Sequence, residues 1–429
     1  MTSELTGARL LAGTVVDPAG VLRSKQVPIA HAGIFASSGM GASPSWNVFC
    51  IDNAVSFTPR FGVVGDLRLR IDLSTARLLG DGLAWSPADL VTQHGEPTAV
   101  CTRSLLRRTE AALTEHGLTA LVGGELEFVL TQADGSPRHT PRWNAYGLSA
   151  VLDAEPFLMD LVETAGNIGL PMEQIHAEYG DGQFEFSLSP SDPVTAADNI
   201  VLARILTGRI ARRHGLAVSF SPLPFADGAG NGAHLHLSLA RYGTRLLSGG
   251  DGPHGLTRDG EAVIGGILAG LPDVIGVLAG SVLSAPRLRP GRWSGAFACW
   301  GLENREAAVR LCAATPGTPH GASVEVKCVD PSANPYLAAS VLLGLALDGL
   351  ERGAGLPPEV TVDPAEVPGT VRLPAGQDAA LAALGDSPLA RRLLGEEILE
   401  ALTTVRGHEL ETYGKEDLAT VAEKLRFTW

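Results

Sequence analysis

Aromatic residues make up only 5% of this 429-residue chain, and cysteine is scarcer still, with five residues. The cysteines (Cys50, Cys101, Cys299, Cys312 and Cys328) are scattered, odd in number and never spaced C-x-x-C. That pattern argues against a disulfide framework or a cysteine zinc site and fits a reducing cytoplasm. No basic run occurs and the net charge is −14, which argues against a nucleic-acid partner. The start "MTSELTGARLL" has no basic segment leading into an apolar one, so no signal peptide is expected. A long unbroken apolar run is also lacking. The nearest, "AVIGGILAGLPDVIGVLAGSVL" (262–283), is interrupted by Pro272 and Asp273, and is expected to form a pair of buried helices, with no membrane span. What abounds is glycine (51) and proline (28), spread along the chain and therefore read as turns.

The length implies two or three domains with ample chain for a core. Residues 1 to about 100 read as short strands between turns: "QVPIAH", "NVFCID", "VSFTP" and "LRLRIDL". "SPADLVTQHGEP" (86–97) has the composition of a linker, and "TRSLLRRTEAALTEHG" (102–117) then shows helical apolar spacing with a glycine stop. Strands and helices mix from there to about 353, and the end of the chain from about 377 reads as helix, polar on one face. The expectation is a small β-rich domain over 1–100 followed by a large α+β domain over 101–429.

Side chains alternate between the two faces of a strand, and four strands use that alternation alike. In "GGELEFVL", Glu125 and Glu127 oppose Leu126 and Phe128. In "GQFEFSL", Gln183, Glu185 and Ser187 oppose Phe184 and Phe186. In "AHLHLSL", His234, His236 and Ser238 oppose Leu235 and Leu237; in "SVEVKCV", Ser323, Glu325 and Lys327 oppose Val324 and Val326. One such strand is ordinary half-exposed sheet. Four of them, as neighbours, would crowd carboxylates on one surface together with Glu178 of "HAEYGDGQFE". Two carboxylates ~4 Å apart repel by roughly 4 kcal/mol at an effective dielectric of ~20. Such a cluster holds protons or binds cations, and oxygen ligands with one imidazole suit Mg²⁺ or Mn²⁺ better than zinc.

Taken in order, "GGELEF", "EYGDGQFEF", "GAGNGAHLHLSL", "PGRWSGAFACWGLENREAAVRL" and "VEVKCVDPSANPYLAASVLLGL" resemble the glutamine synthetase family, over a stretch from "GVLRSKQVP" to the C-terminus. The resemblance implies an N-terminal β-grasp domain and a catalytic domain whose curved antiparallel sheet, flanked by helices, holds two or three Mg²⁺ or Mn²⁺ ions. It assigns Glu127, Glu178 and Glu185 to one ion and Glu125, His234 and Glu325 to another. It implies that ATP phosphorylates a substrate carboxylate and that an amine attacks the acyl phosphate. Arg305 and Arg310 are expected on phosphate with Lys327 as a further catalytic cation, and His236 and Ser238 with Arg310 on the nucleotide. Arg287 and Gly230 are expected at the amino acid. It also implies a cytoplasmic homo-oligomer, a dodecamer of stacked hexamers.

The sequence departs from ammonia-using members of that family at informative places. Their flap pattern P-G-x-E-x-P becomes "PGRWSGAF", with Trp293 where the glutamate stands. Their F-D-G-S-S becomes "IFASSGMG", with Ala36 where the aspartate stands. Both charges that would select NH₄⁺ are missing, whereas an indole offers an apolar and cation–π surface worth about 0.5–2 kcal/mol. An organic amine is therefore the expected nucleophile, in a pocket shaped by the tryptophans of 291–311, a stretch expected at the surface. Ser323 and Lys327 replace arginines flanking the last metal glutamate, and Ala229 stands where an asparagine is usual, with Asn231 nearby. Glutamate is the leading acid. A different acid in specialised metabolism, plain ammonia-dependent synthesis, and a catalytically silent relative remain as alternatives.

Overall fold

The computed structural model describes residues 5–138, 140, 143–317 and 320–429; the first four residues of the stretch read for a signal peptide lie outside these. The N-terminal strands are β1 (Leu10–Val16), β2 (Leu22–Pro28), β3 (Met40–Ala42), β4 (Leu67–Ile71), β5 (Arg77–Leu78) and β6 (Leu83–Val91). They form a sheet in the order β2-β1-β6-β4-β3, with β5 also on β6. The β1–β6 pair is parallel and the rest are antiparallel. Helix α1 (Ala32–Ser37) presses Phe35 onto this sheet, and only a glycine at position 13 permits it, because a Cβ there would lie 2.5 Å from the Phe35 ring.

Two expectations for this region fail. The first half of the supposed linker at 86–97 belongs to β6, a strand flanked on both sides. Ala84, Ala88 and Leu90 are buried, the Ser86 hydroxyl donates to the Asp72 carbonyl, and Pro87 loses nothing because it stands at the end of the β1 register. Small and polar residues disguised a buried strand. "NVFCID" and "VSFTP" form no strands beyond a single Phe49–Val55 bridge, since Asn53 in a left-handed conformation turns the chain back at once.

The remaining elements are α2 (Thr102–Glu115), β7 (Leu118–Gln132), α3 (Leu148–Asp153), α4 (Glu155–Asn167), β8 (Met172–Ala177), β9 (Gln183–Ser191), α5 (Pro193–Arg213), β10 (Leu216–Ser219), β11 (Leu235–Arg241), β12 (Thr244–Arg245), α6 (Arg258–Leu278), α7 (Ser284–Arg287), β13 (Phe297–Leu302), β14 (Ala307–Cys312), β15 (Ser323–Val326), α8 (Pro335–Arg352), α9 (Gln377–Asp386), α10 (Pro388–Leu394), α11 (Glu396–Tyr413) and α12 (Leu418–Leu425). Their sheet runs β13-β14-β15-β11-β7-β9-β8, with β10 on β7 and β12 on β11. It is antiparallel except for β13–β14. The four alternating strands are consecutive in it. Their apolar face (Leu126, Phe128, Phe184, Phe186, Leu235, Leu237, Val324 and Val326) is at most 3% exposed, with Phe128 stacked 5.9 Å from Phe184.

The apolar run at 262–283 is one helix, not two: α6 continues through Pro272. A proline inside a helix costs about 3 kcal/mol, but fully burying a single Ile or Leu returns about 1.5–3 kcal/mol, and α6 buries Ile264, Ile267, Leu271 and Ile275. Its backbone meets α8 at Gly266 and Gly349, where a Cβ on Gly266 would lie 2.4 Å from the Gly349 Cα. Among the described residues α6 is the one helix long and apolar enough to cross a membrane, and most of it is buried in this fold.

The segment 291–311, expected at the surface, is mostly sheet. Trp300 on β13 is 1% exposed and donates its indole N–H to the Pro357 carbonyl at 2.8 Å, so it belongs to the core and shapes no pocket. The "DPSANP" run is a structural knot. Asn334 caps α8 through the Tyr336 and Leu337 amides, and its own amide reaches the Val16 and Asp17 carbonyls. Arg406 of α11 holds the Ser332 and Ala19 carbonyls and pairs at 2.6 Å with Glu409; both side chains are essentially inaccessible.

Replacing Arg406 with Met leaves Glu409 buried without a counter-charge, which typically costs about 3–5 kcal/mol. A clear fall in the apparent melting temperature is expected; an unchanged one would mean that Arg406 does not tie α11 to the β1–β2 turn at Ala19 and to Ser332.

Candidate active site

The polar face of the four strands is a continuous surface. Register pairs Glu127 with Glu185 across β7 and β9, and His236 with Glu325 across β11 and β15. His234 precedes β11, yet its carbonyl still accepts from the Glu125 amide at 3.0 Å, which fixes its side chain beside β7. Glu178 follows β8, set by its own amide on the Gln183 carbonyl at 2.8 Å.

All six residues expected to bind metal converge. Glu125, His234 and Glu325 offer ligand atoms within 4.8 Å of one another, as do Glu127, Glu185 and His234. His234 Nδ1 lies 3.4 Å from both Glu125 and Glu325 carboxylates, and its Nε2 lies 3.8 Å from Glu127. Glu178 joins the cluster through Glu185 and a histidine that the sequence reading missed. His176 Nε2 is 3.0 Å from Glu178 and 3.7 Å from Glu185. The signal was the alternation of His176 and Glu178 along "QIHAE", overlooked because β8 was not assigned. Gly232 was missed too. A Cβ there would fall 2.4 Å from His234 Nε2 and 2.9 Å from both Arg287 and Glu127, so only glycine lets these groups meet.

The charges are unevenly balanced. Burial pushes the Glu185 carboxyl up, and the charges of Glu125, Glu127 and Glu178 push it further, well above the usual carboxylate range. On the other side, burial raises Glu325 but Lys327 and the two imidazoles outweigh it, holding its pKa at about 2. Glu125, half-buried, is held below the usual range by His234 and His236. His236 is raised despite its burial by contacts with Cys312 and Glu125. The Glu125–Glu325 side thus has cations at hand, while the Glu127–Glu178–Glu185 side has a surplus of negative charge. Carboxylate oxygens with imidazole fit hard divalent cations.

The cations take definite places. Lys327 Nζ is 2.9 Å from Glu325, and Arg310 bridges Glu325 at 3.0 Å and Glu303. Buried Arg287 donates to the Cys328 and Lys327 carbonyls and lies 3.4 Å from His234 Nε2; its stem rests on Gly230, where a Cβ would come within 2.6 Å. His236 lies 3.3 Å from Glu125 and 3.2 Å from the Ser323 hydroxyl, and Ser238 donates to the Ala322 carbonyl. Arg305 is not brought in. It is exposed in the β13–β14 turn and makes no hydrogen bond among the described residues. Asn231 does not stand in for the missing asparagine, because it is buried and its amide is spent on the Ser219 and Ser221 carbonyls. Ala36 lies on α1 against the N-terminal core. Trp293 is 53% exposed, with a left-handed φ of 51°.

Glu185→Gln removes a surplus charge, so the metal-free protein is expected to melt no lower than wild type. The gain in melting temperature on adding Mn²⁺ should shrink or vanish in the variant. A full gain in the variant would show that Glu185 takes no part in cation binding.

Comparison with known proteins agrees with this geometry. Residues 99–423 match the family model described as glutamine synthetase, catalytic domain. A gamma-glutamylpolyamine synthetase of Streptomyces coelicolor is 39% identical over 423 residues, covering 95% of this chain and 91% of the relative. A glutamine synthetase of Mycolicibacterium smegmatis is 32% identical, covering 81% of this chain and 82% of the relative. Among solved structures, a glutamine synthase homologue superposes with a TM-score of 0.89 at 30% identity, covering 98% of this chain and 99% of that one. A GmaS–ADP complex gives 0.86 at 25% identity, with 99% of each chain covered. The chain belongs to the glutamine synthetase family.

Proposed function

We propose that the chain is an ATP-dependent ligase that joins the γ-carboxylate of glutamate to an organic amine. The observation that carries the reading is a complete set of clustered carboxylates and imidazoles beside a flap with an indole, not a carboxylate, at position 293. The similarity to a gamma-glutamylpolyamine synthetase supports it.

A carboxylate is a poor electrophile, since its leaving group would be oxide. In the proposed reaction a γ-carboxylate oxygen attacks the γ-phosphorus of ATP and ADP leaves. The amine nitrogen then attacks the acyl carbon, phosphate leaves, and the nitrogen gives up a proton to solvent. Glu127, Glu178 and Glu185 would hold one Mg²⁺ or Mn²⁺, and Glu125, His234 and Glu325 another. Bound there, such ions supply charge neutralisation for the phosphates. Arg310 and Lys327 carry positive charge on the same face, beside Glu325. Arg305, exposed in its turn, has the freedom to swing onto phosphate, and paired N–H donors suit it to that task. Arg287 and Gly230 would bound the amino-acid side, and His236 and Ser238 the nucleotide side. A second acid remains a reading of its own because Ser323 and Lys327 replace an arginine pair, and lysine lacks the bidentate fork.

The domain division at residue 100, with a β-grasp N-terminal part, belongs to this proposal. So do a cytoplasmic location and a dodecameric assembly of stacked hexamers.

The test is ADP release with glutamate and a panel of amines. Turnover with organic amines is expected, and turnover with ammonia alone would overturn the reading. Glu127→Ala should lower turnover by more than about a hundredfold, since even outer contacts of a metal site are worth 10–100-fold.

A further inference from the structure

Glu306 stands just ahead of β14 and has no role in the reading above. It is buried, with 8% exposure, and its two oxygens are used differently. Oε1 accepts the Trp293 amide at 2.8 Å. Oε2 is enclosed and has no hydrogen-bond partner. A buried carboxylate oxygen left unpaired costs about 1–3 kcal/mol or more, and native folds rarely leave one without a reason. Burial pushes the Glu306 carboxyl up and the charge of Asp363 adds to it, while the Trp293 and Gly291 amides and the charge of Lys327 draw it down.

Its position is as informative as its vacancy. Alternation along β14 puts Ala308 and Arg310 on one face, the face where Arg310 meets Glu325, and Glu306 prolongs that series towards the flap. The flap returns to the sheet at Gly295, where a Cβ would lie 2.9 Å from the Lys327 Cβ and 3.0 Å from the Ala308 Cα. Glu306 therefore holds the Trp293 backbone at the flap end of the polar face. Four residue steps take the chain from it to Arg310, roughly 13 Å.

The unpaired carboxylate oxygen, and the indole carried by the flap residue whose backbone amide Glu306 holds, are the two elements that recognise an alkylammonium. They are poorly suited to the attacking nitrogen itself, because a carboxylate keeps an amine protonated and a protonated amine has no lone pair. They suit a nitrogen that does not react. We propose that Glu306 is a specificity residue whose free Oε2 binds the distal, non-reacting ammonium of an aliphatic diamine or polyamine, while Oε1 holds the Trp293 backbone. This inference rests on the amine-ligase reading and adds the residue that selects among amines.

Putrescine and butylamine share one carbon chain and differ by the second ammonium. Steady-state ADP release by the full chain, with saturating ATP, glutamate and Mg²⁺ or Mn²⁺, separates the outcomes. Wild type is expected to favour putrescine in kcat/KM. Glu306→Gln retains an oxygen to accept the Trp293 amide and removes the charge. Its kcat/KM for putrescine is expected to fall about 10–100-fold, mainly through KM, with butylamine nearly unchanged and an unchanged melting temperature. Equal use of both amines by wild type overturns the proposal without any variant. An equal loss for both amines in Glu306→Gln also overturns it, because that marks a residue that only holds the flap. Absence of turnover with either amine would instead contradict the amine-ligase reading itself.

Discussion

Like-charge crowding governs this molecule. Five glutamates converge on one face of a nine-stranded sheet, and the folding energy comes from the other face, where phenylalanine, leucine and valine are sealed beneath helices. The strand period ties the two faces together: every residue that buries an apolar side chain obliges its neighbour to project a polar one. The fold can therefore bear the repulsion among carboxylates, and a cation relieves it. Uneven compensation sharpens the point. Lys327 and the imidazoles serve Glu325 and Glu125, whereas Glu185 has three glutamates acting against its ionisation.

The same period explains how much was legible in the sequence. "GGELEF", "GQFEF", "HLHLSL" and "SVEV" are long enough and regular enough to reveal both faces, and the structure makes them adjacent strands. Where the signal was not periodic, the reading failed for identifiable reasons. β6 carries Ser86, Pro87 and Asp89 in a strand flanked on both sides, so composition mimicked a linker. Pro272 has the local signature of a break, but the packing of α6 on α8 overrode it. Trp300 and Trp293 look alike in sequence, and only the tertiary structure separates a core residue from a half-exposed one. His176 was legible only once β8 was assigned, whereas Gly232 acts through contacts with Glu127 and Arg287, distant in sequence, which no local pattern encodes.

Substitutions on the flap acquire meaning against this constant background. The chain carries the glutamates and histidines of its sheet within a match to the glutamine synthetase catalytic domain, and in the proposed reading the indole at position 293 alters what can attack the acyl phosphate. Position 293 carries an indole, and Glu306, in the turn just ahead of β14, holds the backbone of that residue with a carboxylate. Moving a carboxylate from the flap to the turn that leads into β14 changes its proposed task from deprotonating a small cation to anchoring a larger one.

Anomalous diffraction from crystals soaked in Mn²⁺ tests the central claim most directly. Peaks are expected between Glu125, His234 and Glu325 and between Glu127, Glu178 and Glu185. A difference map with no manganese peak on that face, in protein that remains folded, would contradict the account.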